Sequence, residues 1–120
     1  MTEKIKMRVP TLVDVLGTYY SIEYHEDLGD LHGEALVDEK IIKVCTGSHH
    51  SKEDIRATIF HETLHAVLWV SGINSVIGDS DKEEGIIRAI ENSMKKQIKI
   101  TCGIYSDFKS IELNKKRSKE

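Results

Sequence analysis

The sequence predicts an α+β fold, in which a small antiparallel or mixed sheet of two hairpins packs against two helices. The first half contains paired runs of β-branched and aromatic residues interrupted by turn signals, which is typical of hairpins. The second half contains two stretches with apolar residues at helical intervals, each preceded by a serine and acidic residues. A chain of 120 residues fits a single domain with a modest core, spanning residues 1–120.

Two hairpins are predicted in the first half of the chain. The first spans residues 12–24 and turns at Gly17. The second spans residues 31–45, with strands at 33–37 and 41–45 and a turn at residues 38–40. Residues 1–10 are largely polar and end in a proline, so we expect a loose extension or the start of an edge strand.

The first helix is predicted to begin at Ser51, because a serine followed by acidic residues is a typical helix start. The helix should run to about Val70 and end before Gly72, since glycine is common just beyond a helix. Residues 73–79 are then expected to form a connecting loop.

The second helix is predicted to begin at Ser80, because Glu83 stands three residues later in the spacing of a capping box. Its apolar residues recur at helical intervals, so one face should pack on the core. These residues are Ile86, Ile87, Ile90, Met94 and Ile98. Beyond this helix, residues 104–108 are expected to form a short element, and residues 114–120 a loose tail.

The first helix contains the motif His61-Glu62-x-x-His65. Residues four apart lie on the same face of a helix, so the two imidazoles can hold one metal ion. Two neutral imidazoles suit Zn²⁺, which needs a third protein ligand and an open position for catalysis. Glu62 lies beside them as the expected catalytic general base. The surrounding helix is apolar on most of its circumference and should be buried, so these polar groups need a partner. The alternative is a pair of core histidines bonded to backbone carbonyls.

Glu84 on the second helix is the preferred third metal ligand, and Glu83 is the alternative. If Ser80 caps the helix, the Glu83 side chain reaches back to the cap and is occupied there. Against this choice, Glu83 is better aligned with the apolar face of the helix, and Glu84 can pair with Arg88, four residues on.

Several further residues are candidates for the site. Rival metal donors are His25, His32, His49 and His50. The adjacent His49 and His50 are more simply explained as exposed loop residues. A donor that stabilises a developing oxyanion can come from Tyr24, Tyr105, His49 or His50. The strand at residues 41–44 offers an edge to which a peptide can add as an extra strand.

Composition excludes some classes of function. The net charge of −3 gives no reason to expect binding to nucleic acid or lipid. No apolar run reaches the length of a membrane span, and the first residues lack the apolar core of an export signal, so a cytoplasmic protein is expected. Cys45 and Cys102 are isolated and are expected to be reduced thiols, with a disulfide as the alternative.

The sequence resembles the small ImmA/IrrE-type zinc metallopeptidases, particularly the minimal forms found in phage and prophage genomes. The resemblance rests on the hairpin at residues 13–24, on the helix motif at residues 61–66 and on residues 83–90. In the last of these, isoleucines follow Glu84 at three and six positions, as in the third helix of the family. The resemblance covers about residues 12–95.

This resemblance implies a zinc-dependent hydrolase of peptide or protein substrates in a bacterial or phage-infected cell. Its residues are His61, His65 and Glu84 as zinc ligands, and Glu62 as general base. Larger family members often carry Asn or Asp four residues after the metal-binding Glu, where this chain has Arg88, so the partner that orients a ligand histidine is not visible. The alternatives are a non-catalytic zinc-containing binding module, a zinc site closed by a fourth side chain, and a nuclease.

Overall fold

The chain forms five strands, then three helices, then two further strands, in a computed structural model that describes residues 2–94 and 103–116. The strands are β1 (Thr2–Val9), β2 (Leu12–Val15), β3 (Thr18–His25), β4 (Gly33–Leu36), β5 (Ile41–Cys45), β6 (Tyr105–Ser106) and β7 (Lys109–Lys116). The helices are α1 (Lys52–Val70), α2 (Ile73–Ile77) and α3 (Ser80–Met94).

Five of the strands form a mixed sheet in the order β4-β5-β3-β2-β6. Neighbouring strands are antiparallel except for β3 and β5, which are parallel. Both predicted hairpins, β2–β3 and β4–β5, are therefore confirmed, and so is the α+β class. The first hairpin turns through Leu16 and Gly17, which both have positive φ, at 52° and 89°. Tight hairpin turns need this conformation, and glycine adopts it without steric cost.

The chain termini differ from the expectation of loose segments. Strands β1 and β7 pair along their whole length as a separate antiparallel sheet. Met7, Val9 and Leu113 point from this sheet into the core and are buried. Of the two expectations for residues 1–10, the strand is therefore the one that the structure bears out. The expected loose tail is wrong for residues 114–116, and residues 117–120 lie outside the described residues.

Helix α1 begins and ends where the sequence predicts. The Ser51 side chain accepts a hydrogen bond from the Asp54 N–H at 3.1 Å, and the Asp54 carboxylate accepts one from the Ser51 N–H at 2.9 Å. This reciprocal pair satisfies backbone donors that the first helical turn leaves free. Beyond Ser71, Gly72 takes a left-handed conformation with φ of 81° and ends the helix.

Only one face of α1 is fully buried, because one sheet covers it. Ile55, Ile59 and Ala66 face this sheet and have no exposed surface. The expectation that most of the circumference is buried is wrong, because Trp69, beside this face, is 45% exposed. The motif histidines are partly buried.

The region after α1 contains two corrections. Residues 73–79, expected as a loop, include the one-turn helix α2. Helix α3 is capped by Asp79, whose Oδ1 accepts from the N–H groups of Asp81 at 2.8 Å and Lys82 at 3.4 Å. The predicted capping box between Ser80 and Glu83 is therefore wrong, and the Glu83 side chain is free for another role.

The apolar face predicted for α3 packs less completely than expected. Ile87 is fully buried, whereas Ile86 and Met94 are 42% and 37% exposed. Ile98 lies outside the described residues. The helix meets α1 through only part of its predicted face, because acidic residues near its start turn toward the motif histidines.

Candidate metal centre

The motif histidines of α1 face the start of α3, and Glu84 lies between them. His61 Nε2 is 3.3 Å from Glu84 Oε1, and His65 Nε2 is 2.5 Å from the same oxygen. One ligand atom from each of these three residues lies within 4.8 Å of the other two. Tetrahedral zinc ligands at about 2.1 Å from the ion are roughly 3.4 Å apart, so small side-chain adjustments would suit one ion. The three residues are close enough to bind a metal ion.

The other nitrogen of each imidazole is held by a separate carboxylate. His61 Nδ1 pairs with Glu91, and His65 Nδ1 lies 2.6 Å from Glu83 Oε2. An ionised carboxylate only accepts hydrogen bonds, so each Nδ1 must carry a proton. When the imidazoles are neutral, as metal ligands must be, both Nε2 atoms direct lone pairs at Glu84.

This arrangement requires a positive charge at its centre. Two imidazole lone pairs and a carboxylate oxygen repel one another at the observed separations unless a proton or a cation lies among them. Four carboxylates surround the histidines, from Glu62, Glu83, Glu84 and Glu91, and the Arg88 guanidinium lies 3.6 Å from Glu84 Oε2. With neutral histidines the local charge is strongly negative. The donor set therefore fits a divalent ion, and two imidazoles with one carboxylate are typical of catalytic zinc.

The pKa values of these groups follow the same electrostatics. Burial alone would lower the pKa of His65, but the hydrogen bond to Glu83 and the charges of Glu62 and Glu84 outweigh burial and raise it. Burial would raise the pKa of Glu84, but the hydrogen bonds and charges of His65 and His61 lower it. Without a metal ion, these carboxylates therefore favour the protonated form of His65, and a metal ion that binds must displace this proton. The lowered pKa keeps Glu84 ionised, as a metal ligand must be.

Glu62 is the most buried acidic group near the histidines, with 7% of its surface exposed. Burial raises its pKa, an effect that the charges of His61 and His65 partly oppose. A carboxyl group whose pKa is moved toward neutrality is a more effective general base, because it retains a proton more readily after accepting one. The predicted catalytic residue therefore lies beside the three candidate ligands in a suitable environment.

Two open clefts flank these residues and share Gly33, Glu62 and Glu84 as walls. Their volumes are about 430 Å³ and 420 Å³. One extends past His65 toward Trp69, and the other extends past His61 toward Arg88. Together they form a groove with the candidate metal centre at its middle.

Strand β4 forms a wall of this groove and is one of the two edge strands of the five-stranded sheet in the part of the chain that the structure describes. The expectation that β5 offers an edge is wrong, because β5 lies between β4 and β3. The Cys45 N–H donates to His32 O at 2.8 Å, so these two residues form a hydrogen-bonded pair. In an antiparallel pair of strands, hydrogen-bonded pairs alternate with pairs whose N–H and C=O groups point away from the partner strand. The N–H and C=O groups of Gly33 and Ala35 therefore point away from β5. Both residues line the cleft toward Trp69. The free backbone groups thus face the groove.

The rival histidines are held elsewhere. His25 Nε2 lies 3.1 Å from Glu23 Oε1. The rings of His32 and His49 lie against the His50 ring, with centroids 4.8 Å and 4.1 Å away. Among the described residues, none of these four joins a group of three possible metal ligands. His50 is 3% exposed, so the expectation of an exposed loop residue is wrong for it, while His49 is exposed.

The tyrosine candidates for oxyanion stabilisation are occupied by other contacts. The Tyr105 hydroxyl donates to Thr63 Oγ1 at 3.0 Å, and the Tyr24 hydroxyl donates to Pro10 O at 2.5 Å. Burial raises the pKa of both tyrosines. Neither residue lines the two clefts, so they support the fold around α1 rather than the groove.

The sequence did not indicate that Glu91 pairs with His61, or that Glu83 bonds His65 instead of capping α3. Glu91 follows Glu84 by seven residues, which places both on the same face of α3 two turns apart. That spacing is the signal that could have identified Glu91. The partners that orient the histidines are thus two glutamates at positions other than the one where the resembled family carries Asn or Asp.

None of the helices among the described residues is long and apolar enough to cross a membrane. Cys45 is buried at the end of β5, and its thiol lies 3.6 Å from Glu26 O and forms no disulfide among the described residues, outside which Cys102 lies. Comparisons with protein-family models, with curated proteins and with solved structures give no match to this chain.

Proposed function

We propose that this protein is a zinc-dependent peptidase of the ImmA/IrrE type. The observation that carries the proposal is the convergence of His61, His65 and Glu84 beside buried Glu62, at the middle of an open groove.

His61, His65 and Glu84 would hold the ion, and Glu83 and Glu91 would fix the orientation of the two imidazoles. When bound, zinc supplies a Lewis acid that polarises a carbonyl group and makes water more acidic. Glu62 accepts a proton from the attacking water and then donates it to the departing amine. Its burial keeps this carboxyl group from being solvated, which favours the proton exchange.

The substrate in this proposal is an extended peptide that adds to the free edge of β4. The backbone groups of Gly33 and Ala35 can pair with such a peptide and lay it along the groove. Both clefts share Glu62 as a wall, so a peptide that occupies both passes the general base. An open groove, rather than a closed pocket, suits a polymer substrate.

The test compares the wild type with Glu62→Gln. We expect each to bind about one zinc ion per chain, since Glu62 is not a ligand, and we expect the variant to lose about 100-fold or more of its kcat/KM. Metal analysis measures the zinc, and cleavage of a mixed peptide library followed by mass spectrometry measures the hydrolysis.

His65→Ala is the companion variant and should lose both zinc and hydrolysis. Cleavage that persists undiminished in Glu62→Gln would contradict the mechanism. Stoichiometric zinc in a wild type that cleaves no peptide would favour the non-catalytic binding module instead.

A further inference from the structure

The two clefts beside the candidate metal centre have different chemistry. The cleft toward α2 is walled by the apolar side chains of Ala35, Val37 and Trp69. The cleft on the other side is walled largely by polar and charged residues, including His32 and Arg88. A peptide lying through both would therefore meet the tryptophan ring on one side of the centre, and on the other side a mainly polar surface that includes Leu31 and Ala57.

Trp69 is the largest feature of the apolar cleft. It follows His65 by four residues, so it lies one helical turn beyond this histidine on the same face of α1. Its side chain is 45% exposed although it lines a concave surface. An exposed tryptophan in a cleft is the type of residue that dominates binding sites, because its ring offers a large rigid apolar area.

The apolar cleft also carries an excess of negative charge. Among the described residues, its walls include four carboxylates, from Glu34, Glu62, Glu83 and Glu84, and no lysine or arginine. Glu34 lies close enough for its charge to raise the pKa of Glu62, and among the described residues it forms no ion pair within 4.0 Å. A bound zinc ion would neutralise only part of this charge. The cleft therefore repels acidic side chains and attracts basic ones.

We propose that the apolar cleft, which Trp69 lines, is the specificity subsite of the protein. It accepts a bulky aromatic or aliphatic side chain of an extended peptide, in which the neighbouring residues are basic rather than acidic. The inference rests on the proposed function for the position of the scissile bond, but the subsite itself stands on the shape, exposure and charge of the cleft.

The chain offers a direct probe, because Trp69 is its only tryptophan. Zinc-loaded Glu62→Gln should bind peptides without cleaving them, and its fluorescence reports on this cleft alone. We would titrate it with eight-residue peptides of a Gly-Ser-Lys background that carry a single Phe or a single Ala at the same position. The Phe peptides should shift the Trp69 emission and bind at least about ten times more tightly than the Ala peptides. Replacing the neighbouring Lys with Glu should weaken binding.

Two further variants assign the preference to Trp69. In Trp69→Ala, binding of labelled peptides measured by fluorescence anisotropy should no longer favour Phe over Ala by more than about threefold. Val76→Ala is the matched control, because Val76 is 86% exposed on α2 and lines neither cleft. The control should retain the full preference.

Equal binding of Phe and Ala peptides would overturn the subsite, and so would a Phe preference that survives Trp69→Ala. Failure of the proposed function looks different. If the wild type cleaves none of the peptides while the Phe peptides still shift the emission, the subsite stands and the catalytic assignment falls. If cleavage depends on Glu62 but shows no preference for Phe, the catalytic assignment stands and the subsite falls.

Discussion

At the scale of single residues, the imidazoles of His61 and His65 are oriented before any ion binds. Each donates its Nδ1 proton to a carboxylate of α3, Glu91 for the first and Glu83 for the second. This leaves each Nε2 lone pair directed at Glu84. Such partners fix the ring orientation and increase the basicity of the ligand nitrogen. The two glutamates therefore act through the histidines.

We predict that Glu83→Ala and Glu91→Ala each weaken zinc binding by about 10-fold to 100-fold, because the freed imidazole loses both its orientation and its polarising charge. Competition with a chromophoric chelator measures the affinity. Glu39→Ala is the control, since Glu39 is exposed in the β4–β5 turn, and it should bind zinc as the wild type does. Unchanged affinity in both α3 variants would mean that these carboxylates do not orient the ligands.

At the scale of elements, the close approach of β4 to α1 places the edge strand beside Glu62. A Cβ atom at Gly33 would lie 2.5 Å from Thr58 Cγ2, 2.8 Å from Lys43 O and 3.2 Å from Glu62 Cγ. Any side chain at this position would push β4 away from the helix. Packing therefore requires glycine at position 33, and the position of β4 as a wall of the groove depends on this glycine.

We predict that Gly33→Ala destabilises the protein by about 1–3 kcal/mol, the usual cost of an overpacked contact, and lowers kcat/KM by displacing Glu62. Gly85→Ala provides the opposite control. A Cβ atom at Gly85 on α3 would meet nothing within 4 Å, so this variant should stabilise the helix by about 0.4–1 kcal/mol. Urea denaturation measures both, and a Gly33→Ala variant as stable as the wild type would contradict the packing argument.

At the scale of the whole molecule, residues from the two ends of the chain complete the core. Strand β1 pairs with β7, and Val9 and Leu113 are buried with no exposed surface. Strand β6 adds a second connection, because the buried Tyr105 hydroxyl bonds Thr63 in the middle of α1. The segment after α3 thus supports the helix that carries the motif.

We predict that Leu113→Ala lowers the free energy of unfolding by about 2–5 kcal/mol, the usual cost of truncating a buried leucine. Leu16→Ala is the matched control, because Leu16 is 65% exposed in the first hairpin turn, and it should change stability by less than about 0.5 kcal/mol. Equal effects of the two substitutions would show that β7 is not part of the cooperative fold.

The sequence by itself determined the elements whose signals are local. Both hairpins, the Ser51 cap and the end of α1 follow from turn residues and periodicity within a few positions. The placement of His61 and His65 on one helix face, with Glu62 one position round the helix, is equally local, because helix geometry sets it.

The tertiary structure decided the features that depend on contacts between distant segments. The pairing of β1 with β7, the edge position of β4 and the approach of Glu91 to His61 join residues that no local pattern relates. Glu84 meets both histidines although the capping argument that favoured it was wrong, because Asp79 rather than Ser80 caps α3. The physical reason is that side-chain direction depends on how α3 rotates against α1, and packing between elements sets that rotation.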